Sequence, residues 1–482
     1  MSGRLANHVV QGVIVVAAIF CGLAGRGLGA EKMRFASVAK PRVIVLTDIT
    51  NEPDDEESMV RFLVYCNEYD VEGLIATTSV WLRNKVRPDK IRERVEAFGQ
   101  VRENLLKHAE GYPTTAHLLK VIESGRPEFG MKGVGPGKQS QGSRHIIDVV
   151  DRADDRPVWI TVWGGANCLA QALWDVRKER TQAELRAFIA KLRVYTISDQ
   201  DDSGRWLRTM FPDLFYIVTP SSVNHHEYYR ATWTGISGDR HYKNGPMHKF
   251  ELVDNPWLRE NIIEGHGPLG RLYPPLEYIM EGDTPSFLGL IDNGLGSAIS
   301  PSYGGWGGRY VHYQSYAETQ PIWTNVAGGR DTVVAEDGNA YTSAQATIWR
   351  WRQAYQHDFA ARMDWCVADS REEANHNPVA VLASDRGRGV GHVRVRPGEE
   401  VRLDASGSHD PDGDDISCRW FIYREAGTYR NEVGIEKHVT EQARLIVPQA
   451  GASGTIHVIL EVRDDGRPSL FSYRRLIVDV RP

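Results

Sequence analysis

Four carboxylates fall within eight residues, at Asp48, Glu52, Asp54 and Asp55, directly behind the apolar run Val43-Ile44-Val45-Leu46. Side chains of this type can hold a divalent cation, orient an attacking water, or favour the positive charge that builds on a sugar ring as its glycosidic bond breaks. A carboxylate that ends a buried strand must be hydrogen-bonded, protonated or bound to a cation, so Asp48 and Asp55 are the expected functional pair. Asp54, Glu56 and Glu57 are expected to cap the following helix and to face water.

The surrounding sequence says how such a cluster would be positioned. Val43 to Leu46 has the continuous apolar pattern of a strand buried on both faces. Pro53 opens a segment with Met59, Phe62, Leu63 and Cys66 at helical spacing, so the stretch reads as strand, acidic turn, helix. Residues 71–78, 158–163 and 192–198 read as further strands, and each ends in polar residues. These are Thr77 and Thr78, then Asn167 after Gly164-Gly165-Ala166, then Asp199, Asp201 and Asp202. With amphipathic helices between them, as at 88–106, they predict an α/β domain with a mainly parallel sheet and helices on both faces. The polar strand ends then meet on one edge, where open α/β sheets bind ligands.

Residues 220–340 are dense in Gly, Pro, aromatic residues and His, among them His225-His226, Trp233 and His266, and are expected to cover the cleft. The glycine-flanked run from Ser302 to Gly308 reads as a rigid turn or substrate wall, and a helix over 342–365 closes the domain. Asn375-His376-Asn377-Pro378 marks a boundary between residues 31–374 and an all-β sandwich of immunoglobulin type over 375–482, with Trp420 on a central strand. The acids between Asp404 and Asp414 resemble the signature loop of polycystic-kidney-disease-type domains and are expected to shape a turn.

Composition narrows the classes. Hydrophobic content of 41%, charged content of 25% and a net charge of −6, with no long basic run, give no footing for nucleic acid. Residues 1–30 read as a secretory leader, with Arg4 and His8 before an apolar run and small residues at Gly27 to Ala30, so an exported protein is expected. No second apolar stretch approaches membrane length. Cys66, Cys168, Cys366 and Cys418 are widely spaced, which argues against a zinc site.

The acidic stretch resembles the hallmark of the inosine–uridine nucleoside hydrolases, a strand followed by Asp-x-Asp-Pro-Gly-x-Asp-Asp. Asp48, Asp54 and Asp55 match it, and Thr50 stands where that family has an Asp acting as calcium ligand and general base. Asn167 stands at the ligand threonine of the family's Gly-Pro-Leu-Thr-Asn strand end. His266-Gly267 echoes its late His-Asp pair without the acid. The turn Asn51 to Asp55 and the runs 197–202, 229–236, 265–270 and 282–287 are similar to a narrower group. These are secreted bacterial proteins with a nucleoside-hydrolase-like domain and a C-terminal immunoglobulin-like domain, some described as cellulose-binding.

The resemblance implies a hydrolase acting on a glycosidic or N-glycosidic bond of a carbohydrate or nucleoside-like small molecule. In it Glu52 replaces the absent base, Asp55 serves catalysis and, with Asp48, calcium, and His266 is the leaving-group acid. Asn167 and Asp199 would bind sugar hydroxyls or complete the metal shell, and Asn51, Asp202 and Trp233 would bind substrate; Asp283 is either a pocket ligand or a helix cap. The alternative is a carbohydrate-binding protein, cellulose-binding in type, in which the cleft has lost its chemistry.

Overall fold

The computed structural model describes residues 33–37, 39–50, 52–221, 227–449 and 453–481. The leader at 1–30, Asn51 and the His225-His226 pair lie outside the described residues.

The first nine strands are β1 Arg34–Ala36, β2 Arg42–Thr47, β3 Asp70–Ala76, β4 Ile122–Ser124, β5 Val158–Val162, β6 Leu192–Ser198, β7 Phe215–Thr219, β8 Val311–Tyr313 and β9 Ile322–Thr324. All but β1 form one sheet in the order β4-β3-β2-β5-β6-β7-β9-β8, parallel throughout except for the β8–β9 pair. The chain moves outward from β2 through β3 and β4, then returns to β5 on the other side of β2. The order therefore reverses between β2 and β5, and the crevice at their carboxyl ends is the switch point that open α/β sheets use for ligands.

Strand periodicity explains the layering. Val43 and Val45 enter a core with the Pro53–Val64 and Pro88–His108 helices, while Ile44 and Leu46 enter a second core with the Asn167–Glu179 helix. The four strands expected from sequence are present. β4, β7, β8 and β9 are additional; β4, β8 and β9 are only three residues each, and β7 lies among aromatic residues. The helix expected over 342–365 is interrupted. β10 Asp331–Val334 pairs with β11 Ala340–Ser343, and the helical segments are Ala346–Trp349 and Arg352–Trp365.

The C-terminal strands are β12 Val390–Val395, β13 Glu400–Asp404, β14 Ile416–Ile422, β15 Gly434–Glu436, β16 Gln442–Ile446, β17 Gly454–Asp464 and β18 Phe471–Val480. They make a sandwich of two sheets, β1-β12-β18-β17-β14 and β13-β16-β15, with Trp420 buried between them. β1 pairs with β12, so residues 34–36, assigned from sequence to the first domain, complete the second domain's sheet. Asp410 Oδ1 accepts from the amides of Asp412, Gly413 and Asp414 at 2.7, 3.1 and 3.3 Å, an acid shaping its own turn.

The two domains are docked through apolar surface. Trp351 packs on Phe421, Tyr423 and Tyr473, and the core on the Val43 face runs on through Ile459 and Phe471. Buried Arg475 donates across the boundary to the carbonyls of Leu295, Tyr303 and Gly304 at 2.6, 2.9 and 3.1 Å. The glycine-flanked run at 302–308 belongs here and not to a substrate wall, since a Cβ on Gly304 would lie 2.4 Å from the Tyr423 hydroxyl. Among the described residues no helix is long and apolar enough to cross a membrane, and the four cysteines are buried and free.

Candidate active site

β2 delivers Thr47 and Asp48 to the switch point, and the chain turns at Thr50 with φ of 98°. A β-branched residue takes this left-handed conformation only where its surroundings over-determine it, at about 1–3 kcal/mol. Thr50→Gly is therefore expected to stabilise the fold by about 1 kcal/mol. Urea unfolding should show a higher midpoint at unchanged slope; a lower midpoint would mean that the threonine's own contacts outweigh the strain.

Pro53 opens the helix and places Asp54 and Asp55 in its first turn. The Thr47 hydroxyl donates to Asp55 Oδ1, and the Ser79 hydroxyl to Asp48 Oδ2. β5 runs into Gly164 and Gly165 because no side chain fits there. A Cβ would lie 2.2 Å from Asp48 Oδ1 at the first and 2.3 Å from Asp201 Oδ2 at the second. From the cover, Gly282 also packs against Asp54, where a Cβ would lie 2.7 Å from Oδ2, and brings Asp283 beside the helix start. Oxygens of Asp54, Asp55 and Asp283 lie within 4.8 Å of one another.

These three acids sit in a cleft of about 580 Å³ that is also lined by Glu52, Trp81, Gln200, Tyr228, Trp233 and His241, with Tyr242, Glu277 and Tyr278 on the same lining. Among the described residues no Lys or Arg lines it. The electrostatics follow from burial without compensation. Desolvation, opposed by the Ser79 hydrogen bond, pushes Asp48 up to about 6. Desolvation and the charge of Asp48 push Asp54 up to about 7, against the amides of Asp54, Asp55 and Gly282. Asp55 and Asp283 are held well above the carboxylate range, first by burial and then by each cluster partner's charge. Asp48 Oδ1, Asp54 Oδ1 and Asp283 Oδ2 have no hydrogen-bond partner among the described residues.

A second buried network fixes this geometry from below. Glu57, fully buried and held well above its ordinary range by desolvation and by Glu281, accepts the Glu281 amide at 2.8 Å. Glu281 in turn pairs with Arg61 at 2.5 Å and accepts from Tyr273 and Thr284 at 2.8 Å each. The helix that carries Asp54 and Asp55 is thereby tied to the segment that carries Asp283. Two expectations change here: Glu57 does not face water, and Asp54 turns into the cleft.

The other expected residues divide. Glu52, Asp55, Trp233 and Asp283 line the cleft. Asp48 lies behind it, bonded to Ser79. Asp199 does not reach the lining, because both its oxygens are held by Arg208 at 2.8 and 2.9 Å. Asp202 is exposed and accepts the Met131 amide at 2.7 Å. Asn167, at the start of its helix, donates to Thr78 Oγ1 at 3.1 Å and to the Glu128 carbonyl at 2.8 Å. His266 is not part of the lining: its Nε2 meets Asp364 Oδ1 at 3.1 Å, on the Arg352–Trp365 helix. Trp81, Gln200, Tyr228, His241, Tyr242, Glu277 and Tyr278 line the cleft without having been expected to. Of these Gln200, two residues beyond the end of β6, stood closest to a strand-end signal.

Residues 42–310 match the family described as cellulose-binding Sde182, nucleoside hydrolase-like domain, and residues 400–480 match the cellulose-binding protein Sde0182, C-terminal domain. The chain belongs to the Sde182 family. A solved structure described as a nucleoside hydrolase-related hypothetical protein from Saccharophagus degradans that is associated with carbohydrate metabolism is 38% identical. That match covers 92% of this chain and 100% of the other, with a TM-score of 0.79. The type III effector XopQ, solved with adenosine diphosphate ribose, is 10% identical over 68% of this chain and 94% of its own, with a TM-score of 0.32, and bears no argument. No curated protein matches. The Sde182 nucleoside hydrolase-like region contains every side chain that lines the cleft.

Proposed function

We propose that this chain hydrolyses a glycosidic or N-glycosidic bond of a neutral carbohydrate in the acid-lined cleft. The observation that carries this is the gathering of Asp54, Asp55 and Asp283 in a ligand-sized cleft with no Lys or Arg among its described lining residues to offset them. Burying carboxylates unpaired costs several kcal/mol, on the order of the penalties for isolated buried ions. A protein that only held a neutral sugar would gain little from that arrangement, whereas one that stabilises an oxocarbenium-like transition state gains directly. The acids also repel phosphorylated and otherwise anionic ligands. The leader-like residues 1–30 fit a protein that meets its carbohydrate after export.

Hard oxygen donors left without partners suit a divalent cation. Oxygens of the three acids all lie within 4.8 Å of one another, no farther apart than two oxygens held by one calcium at roughly 2.4 Å each. Asp54, Asp55 and Asp283 would hold calcium, which when bound supplies Lewis acidity to water in the cleft. Glu52 takes the proton of the attacking water. His241 gives a proton to the leaving oxygen or nitrogen. Trp233 presents its ring to the sugar's apolar face, fixed by its bond to Ser198 at 3.0 Å.

The metal-free protein should report the charge cluster through its stability. Asp48 and Asp54, at about 6 and about 7, hold protons when folded that the unfolded chain releases near its ordinary 3.8. The folded state binds more protons, so these groups lower stability as pH rises from about 4 to about 7. In chelator, calcium-free protein should melt higher at pH 5 than at pH 8. Added calcium should raise the melting temperature more at pH 8, by about 2.7 kcal/mol of stabilisation at a hundredfold excess over its Kd. Equal calcium shifts at both pH values, or none, would remove the acids as ligands.

Thr50, and the family's cellulose-binding description, favour a second reading in which the cleft only holds sugar. A panel of inosine, uridine, aryl β-glucosides and cello-oligosaccharides separates them. Release of base, phenol or reducing sugar supports hydrolysis; retardation by soluble cellulose in affinity gels with no release supports binding alone.

A further inference from the structure

The cleft has a buried acidic end and an aromatic mouth. At the inner end Asp283 is 1% and Asp55 6% exposed. From buried Trp233 a series of rings runs outward in edge-on contact: Trp233 to Tyr242 with centroids 6.1 Å apart, Tyr242 to His241 at 4.7 Å, and His241 to Tyr278 at 5.9 Å. Tyr278 is 52% exposed, and Trp81, also on the lining, 37%. A single sugar or nucleoside placed at the acids would leave these outer rings uncovered, although the cleft's 580 Å³ is the volume of a drug-sized ligand. Among the described residues the inner end is tight: Asp283 and Asp55 are all but buried there, and Gly282 packs against Asp54 closely enough to exclude a Cβ.

We infer that the cleft takes the end of a neutral oligosaccharide chain, with the terminal sugar at the acids and the next one or two sugars on the rings of His241, Tyr278 and Trp81. This rests on the reading of the cleft as a carbohydrate site and adds to it the part of the chain recognised. Flat rings at the mouth suit the apolar faces of successive pyranoses, and the tight inner end accepts a terminus but not the middle of a chain. Trp81 and Tyr278 are then specificity determinants for chain length.

Calorimetric titration tests this in full-length Glu52→Gln protein, so that turnover does not shorten the ligand, with glucose, cellobiose, cellotriose and cellohexaose as probes. Affinity should rise about tenfold from glucose to cellotriose and then level off, a factor of ten being one increment of about 1.4 kcal/mol. Trp81→Ala and Tyr278→Ala, each a change at an exposed ring, should each weaken cellotriose several-fold and leave glucose unchanged. Affinity that keeps climbing to cellohexaose, or rim variants that bind cellotriose like the parent, would overturn chain-end recognition. Glucose binding with no gain from length would overturn it while sparing the carbohydrate reading; no binding at any length would overturn both.

Discussion

Asp283→Asn should lower the hydrolytic rate by about a thousandfold while making the metal-free protein more stable, because the same charge is costly to the fold and useful to the transition state. Asp283 is nearly inaccessible, its Oδ2 has no partner, and Asp55, Asp54 and Asp48 all oppose its ionisation. The amide keeps the shape and removes the charge. Relief of that repulsion should raise unfolding free energy by about 1 kcal/mol in chelator at pH 8, in the range seen when strained active-site groups are neutralised. Calcium should then stabilise the variant less than the parent. A variant that loses stability in chelator, or that keeps its rate, would mean that Asp283 serves packing alone.

Glu52→Gln should reduce turnover by about 10²- to 10⁴-fold, the usual contribution of a positioned general base, with glycan affinity little changed. Glu52 stands just before the helix, in extended backbone, on the cleft lining. Its position lets it take over proton removal where Thr50 has no ionisable group. The expected signature is a fall in kcat at constant KM, with loss of the acidic limb of the pH profile. Equal rates in both proteins would assign the base elsewhere; a rise in KM alone would make Glu52 a binding residue.

The acidic turn could be read from sequence because strand, proline and acids are contiguous, and local order dictates where they point. The same holds for the sheet, whose buried strands are mostly apolar and rich in β-branched residues. Partners drawn from far along the chain were less legible. Asp199 looked like Asp55, a carboxylate after a strand, and only the fold reveals Arg208 closing on both its oxygens. Glu57 looked like a solvated helix acid until the cover laid the Glu281 amide against it. His266 sits in a glycine-rich turn, with Gly265 at φ 84° and Gly267 at φ 71°, that leads its ring to Asp364 and away from the cleft lining. The aromatic mouth lies on turns around Tyr242 and Tyr278 that have no periodicity to betray which side faces the acids. Gly164, Gly165 and Gly282 read as loop residues; their role is the room they leave for carboxylates.

The central claim is that the acids serve bond cleavage by water. Turnover of cello-oligosaccharides and nucleosides in ¹⁸O-enriched water, with the released sugar weighed by mass spectrometry, tests it most directly. The account predicts one heavy oxygen on the sugar's anomeric carbon with the native protein and a rate lowered by orders of magnitude with Glu52→Gln. Recovery of bound but intact, unlabelled glycan from the native protein would contradict it.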